Sequence, residues 1–177
     1  MASLRVVLPD QLDRSLIRAL AYADERVLMA ETGYLFTDRT HRRKLGLLAS
    51  AGRHFARDAR DAGVLLDQRT IGEGAHRRPL REHIVDAASR AGCDEVVAVR
   101  PGSWSELDEL RAGADALGVS LRIDEDAHFL TTPDDFAEHA AGRTRLVMEY
   151  FYREVRRSHG ILMDAGGPAG GQWNYDA

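Results

Sequence analysis

Short apolar runs and helical stripes alternate along most of the chain. Leu4-Arg5-Val6-Val7-Leu8, closed by Pro9-Asp10, reads as a buried first strand. Asp13 is placed to cap a short helix whose Leu16, Ile17 and Leu20 share one face. Arg26 to Ala30 reads as a second strand ending at Glu31, and a loop from Thr32 to Asp38 leads into a long helix over about 40–62. That helix carries a stripe of Leu45, Leu48, Gly52, Phe55 and Ala59 and stops at Gly63. Val64-Leu65-Leu66 opens a third strand, and Leu80, Ile84, Ala87 and Ala88 face one side of the next helix. Glu95 to Val99 is the clearest strand. After Pro101-Gly102, Ser103 and Glu106 form a capping box for a helix bearing Trp104, Leu107, Leu110, Ala114 and Leu117. Trp104, at that spacing, belongs to the core face, and Phe129, Tyr150 and Phe151 read as packing residues too. Val119 to Ile123 alternates as a fifth strand, and Thr132-Pro133-Asp134-Asp135 starts another helix.

Strands alternating with helices make βαβ units, hence an α/β fold with a parallel five-stranded sheet and right-handed crossovers. The expected strand order is 3-2-1-4-5, a doubly wound Rossmann-like arrangement. Its ligand crevice lies at the carboxyl ends of strands 1 and 4, where the winding reverses. This topology nominates Asp10, Gln11, Glu31, Pro101 and Gly102 as site residues, with Pro9 and Arg100 on the same rim. Asp10 and Gln11 can hydrogen-bond a small molecule or serve only to cap the next helix. Lys44 heads an apolar stripe and can meet a ligand's polar edge or stay solvated.

The alternation stops near residue 143. Residues 1–142 form the α/β domain and 143–163 a helical extension. Residues 164–177 read as a glycine-rich linker, Gly166 to Gly171, with an aromatic tail containing Trp173 and Tyr175. Such a tail needs a packing partner, so the chain is expected to be a fragment of a longer protein.

Charge and composition narrow the chemistry. The 177 residues carry a net charge of −4, which argues against a main DNA-gripping surface. The arginines, which outnumber the single lysine, interleave with acids over the chain as a whole. Cys93 is the one cysteine, so an intrachain disulfide and a cysteine-ligated iron–sulfur cluster are excluded. No run reaches the roughly 20 apolar residues of a membrane-spanning helix, and no signal peptide is recognisable, which makes the cytoplasm the default location. The seven histidines have no ligand spacing for a metal.

Several segments together resemble the deoxyribodipyrimidine photolyase-related family, which includes iron–sulfur bacterial (6-4) photolyases and cryptochromes. They are Leu8-Pro9-Asp10-Gln11-Leu12, the run His41 through Ala56, Pro101-Gly102-Ser103-Trp104, Met148 through Arg157 with Gly160-Ile161-Leu162-Met163, and Gly170 through Ala177. The resemblance implies an N-terminal domain that binds an antenna chromophore, ribityl-lumazine or flavin-like. It implies a separate C-terminal region holding FAD, an iron–sulfur cluster and the DNA lesion, so DNA is met through the parent protein and this chain alone is not catalytic. Two positions differ from the family pattern: Pro9 stands where glycine is usual, and Thr32 to Thr40 departs from the acidic, tyrosine-containing loop that helps cover the antenna. The alternative function is a stand-alone nucleotide- or flavin-binding α/β module.

Overall fold

The computed structural model describes every residue except Met1, Asp24, Tyr34, Leu35, Asp38, Asp176 and Ala177. Tyr34, Leu35 and Asp38 of the 32–40 loop therefore lie outside the described residues. The chain divides into two compact units, Met1–Glu125 and Asp126–Ala177.

The first unit is the α/β sheet foreseen from the pattern. Its strands are β1 (Ser3–Val6), β2 (Arg26–Ala30), β3 (Leu65–Arg69), β4 (Glu95–Val99) and β5 (Ser120–Asp124). They lie in the order β3-β2-β1-β4-β5, every neighbour parallel. Helices α1 (Arg14–Tyr22), α2 (Arg42–Asp61), α3 (Leu80–Ala91) and α4 (Trp104–Leu117) connect them. β1 alternates its contacts between two cores. Leu4, Val6 and Leu8 pack with Ile84, Ala88, Val96 and Leu110 under α3 and α4, whereas Val7 joins Val27, Met29, Phe55 and Ala56 under α1 and α2. Burying both faces of β1 and β4 explains their near-continuous apolar runs.

Local signals set the helix ends. Asp13 accepts from the Ser15 amide to cap α1, and Gly92 and Gly118 adopt left-handed conformations at the ends of α3 and α4. Within α4, Gly113 lets the helix approach α3: a Cβ there would stand 3.0 Å from Ile84 Cγ2.

In the second unit, α5 (Pro133–Ala140) starts with a complete capping box between Thr132 and Asp135. Phe136 and His139 of α5 meet Phe151 of α6 (Met148–His159), with ring centroids 5.2 and 5.0 Å from it. Arg156 is buried and donates to the carbonyls of Ile161 and Leu162. A short hairpin, β6 (Met163–Asp164) with β7 (Gly167–Pro168), follows, and Arg157 stacks 4.6 Å from the Trp173 ring. Among the described residues no helix is long and apolar enough to cross a membrane.

Three packing assignments need correction. Trp104 is 79% exposed, Phe129 71% and Tyr150 52%. Trp104 is the first residue of α4, which begins beyond the carboxyl end of β4, so the sheet offers no surface to cover it. Helical spacing identifies a face but not where the underlying sheet ends.

Candidate functional site

A tight turn shapes the exit from β1. The Gln11 amide donates to the Leu8 carbonyl at 3.0 Å, closing a four-residue turn with Pro9 at its second position. Proline suits that position because its ring fixes φ. The turn leaves Asp10 exposed and sends Gln11 inward, where it is only 4% exposed. Gln11 Nε2 then donates to the carbonyls of Val99 and Arg100 at 3.3 and 3.0 Å, tying the exit of β1 to that of β4. Its Oε1 is buried with no hydrogen-bond partner. An unmet buried acceptor costs about 1–3 kcal/mol, so this oxygen marks a place for a donor.

Glu106 completes the crevice, although the sequence pattern explains it only as half of a capping box. The Ser103 hydroxyl does cap the Glu106 amide, at 3.2 Å. The Glu106 carboxyl, however, is buried, accepting a long bond of 3.4 Å from the same hydroxyl. A Cβ on Gly33 would come within 3.2 Å of Glu106 Oε1, so the glycine after β2 leaves room for the carboxyl. Burial, and then the charge of Asp10, push this carboxyl up to about 7. The position near a helix N-terminus favours the ionised form, but desolvation outweighs it. The available signal was the site, not the spacing: a glutamate at the third helical position after strand 4 lies on the switch-point crevice.

Asp10, Gln11 and Glu106 are thus brought together, with Pro101 half-buried and Gly102 exposed on the β4 side. A Cβ on Gly102 would meet nothing within 4 Å, so the rim is open there. Glu31 sits elsewhere in its bonding: its carboxylate accepts from the Ile71 amide at 2.7 Å and pairs with Arg53 at 3.1 Å. It holds the loop after β3 against α2. Lys44 is exposed in the first turn of α2.

Between β1, β2 and α2 the space is nearly full. Phe36 is 5% exposed against Ala49, Leu45, Leu48 and Ile71. The residual cavity beside Pro9, Met29, Phe36 and Gly52 is about 20 Å³, room for one water rather than a ring.

Comparison with known proteins agrees with this architecture. The family model described as deoxyribodipyrimidine photo-lyase-related protein matches residues 5–177. The chain is 34% identical over 184 aligned positions to a (6-4) photolyase of Agrobacterium fabrum (strain C58 / ATCC 33970). That alignment covers 100% of this chain and 36% of the relative, so the chain spans about a third of the relative's length.

Proposed function

Because the chain belongs to the deoxyribodipyrimidine photolyase-related family, we propose that it is the part that binds a light-harvesting chromophore. The observation that carries this reading is the buried, unpartnered Oε1 of Gln11 beside Asp10 and the buried carboxyl of Glu106. Asp10 and Gln11 would hold the hydroxyls of a ribityl chain, and Glu106 would hold a ring or side-chain donor. A bound chromophore supplies absorption of light and transfer of the excitation. On this proposal an iron–sulfur cluster belongs to the rest of a parent protein, because Cys93 is the only thiol here and it is buried, and FAD and contact with lesion DNA are assigned there with it. The chain by itself carries out no repair. A cytoplasmic setting suits that lone thiol.

The alternative, a nucleotide-binding module, fits less well. The β1–α1 turn has no glycine, and the acidic crevice opposes a phosphate.

The test is titration with 6,7-dimethyl-8-ribityllumazine, riboflavin and FMN, followed by fluorescence. Saturable binding of the lumazine is expected, with FMN weaker than riboflavin. Asp10→Ala should weaken binding about ten- to hundred-fold, the value of one charge-assisted hydrogen bond, while Arg157→Ala leaves it unchanged. Binding that ignores Asp10→Ala, or that prefers FMN, would refute the assignment.

A further inference from the structure

The net charge of the chain conceals a strongly basic stretch. Residues 39–57 hold Arg39, Arg42, Arg43, Lys44, Arg53 and Arg57 with no aspartate or glutamate among them. Here the arginines do not interleave with acids. Helix α2 displays this charge to solvent: Arg42, Arg43, Lys44, Arg53, His54 and Arg57 are all exposed.

The helix also carries a groove. An open cavity of about 580 Å³ runs along it between Arg42 and Arg57, floored by Gly46, Ala49 and Ser50 and walled in part by Ile71. Small side chains at i, i+3 and i+4 lie on one face, so a chain laid along the helix can approach the backbone closely. Arg42 and Arg57 are fifteen positions apart, which at 1.5 Å rise places them about 22 Å apart along the axis. That length passes about six nucleotides of one strand at 3.4 Å each.

Two of the arginines have acidic neighbours. Arg53 pairs with Glu31 at 3.1 Å and Arg57 with Asp58 at 3.0 Å. Arg53 is still half-exposed and Arg57 more so, with 53% and 62% of their side chains accessible. A guanidinium has five N–H donors, so each retains donors for a second oxyanion. Arg42, Arg43 and Lys44 are exposed, and the ion pairs of α2 among the described residues are those of Arg53 and Arg57.

We infer that the groove along α2 binds the phosphodiester backbone of a nucleic acid. Arg42, Arg53 and Arg57 contact phosphates, and Gly46, Ala49 and Ser50 make room for the sugar chain. Arginine suits this role because its planar fork matches two phosphate oxygens. An anionic membrane is the poorer occupant. The exposed side of α2 offers only Leu47 as a large apolar residue for insertion, whereas interfacial helices bury a broad apolar face in lipid. Contacts are to the backbone alone, so the binding is independent of sequence and strongly dependent on salt. This surface is separate from the crevice at Asp10, Gln11 and Glu106, so the inference does not rest on the chromophore reading.

The experiment is fluorescence anisotropy of the purified chain with labelled 12-nucleotide single strands of two unrelated sequences and with the corresponding duplexes. Salt is varied from 20 to 200 mM, and anionic vesicles are assayed in parallel by flotation. Micromolar binding at low salt is expected, similar for both sequences. For single strands, the log–log salt slope should be about −2, the release expected for three phosphates. Arg42→Glu combined with Arg57→Gln should weaken binding at least tenfold and flatten the slope by about 1.4. A glutamate in the first turn of α2 is compatible with the helix, and circular dichroism checks the fold of the variant. Arg111→Gln on α4 is the matched control and should change nothing. Three outcomes overturn the inference: no binding at 20 mM salt, equal losses in the α2 and Arg111 variants, or vesicle binding without nucleic-acid binding.

Discussion

The side-chain amide of Gln11 donates to the main-chain carbonyl of Arg100 at 3.0 Å, joining the two strands at which the sheet reverses its winding. The same nitrogen reaches Val99 at 3.3 Å. One buried side chain therefore ties together the exits of the two strands.

Replacing Gln11 with methionine keeps most of its volume and removes both donated bonds. A net cost of about 1–2 kcal/mol is expected, the value of one or two hydrogen bonds less the relief of an orphaned acceptor. Urea denaturation would show it as a lower midpoint at an unchanged slope. A midpoint equal to that of the original protein would mean that Gln11 does not brace the strand ends.

Much of this arrangement was legible in the sequence. β2 and β4 have the bounds that their apolar runs suggested, because strands buried on both faces leave an uninterrupted signal. The position of Gln11 at the crevice followed from topology. Glu106 was missed because its role depends on contacts distant in sequence: Asp10 after β1 and Gly33 after β2. The capping pattern gave it a sufficient local explanation, and the backbone half of that pattern is indeed present. Trp104 was misplaced for the opposite reason, since its helical phase was right but the helix outruns the sheet.

Gly113 looks out of place inside a helix, where alanine is favoured by about 1 kcal/mol. A Cβ at that position would lie 3.0, 3.1 and 3.2 Å from Ile84 Cγ2, Cβ and Cδ1. The branch point of a fully buried isoleucine cannot swing aside, so α3 and α4 must separate. Overpacking of this kind costs about 1–3 kcal/mol and outweighs the gain in propensity. Gly113→Ala should lower the urea midpoint, and Gly113→Ala with Ile84→Val should recover part of the loss. An alanine variant more stable than the parent would show that the helices part without cost.

Glu106 gives the stability of the protein a pH dependence of unusual sign. Its carboxyl titrates near 7 in the folded chain, raised first by burial and then by Asp10, against an ordinary value of 4.5. The folded state therefore holds more protons than the unfolded state between about 4.5 and 7, and stability falls as pH rises through that window. Below 4.5 the carboxyl is protonated in both states and the penalty vanishes. His83 acts in the opposite direction: burial lowers its pKa from 6.5, so the unfolded chain takes up the proton first and stability falls as pH drops below that value. Its Nε2 lies 3.0 Å from the Ala75 carbonyl and its Nδ1 3.2 Å from Arg69, the arrangement of a neutral ring with the proton on Nε2. Glu106→Gln keeps the shape and removes only the first effect. At pH 8 the variant should be more stable than the parent by about 1–2 kcal/mol, a figure reduced from the full shift because the crevice mouth is open to water. The two proteins should converge as pH falls to about 4.5. Urea denaturation at half-unit steps from pH 4.5 to 8 measures the difference directly. A constant offset across that range would place the Glu106 carboxylate in contact with water at neutral pH and remove it from the buried crevice.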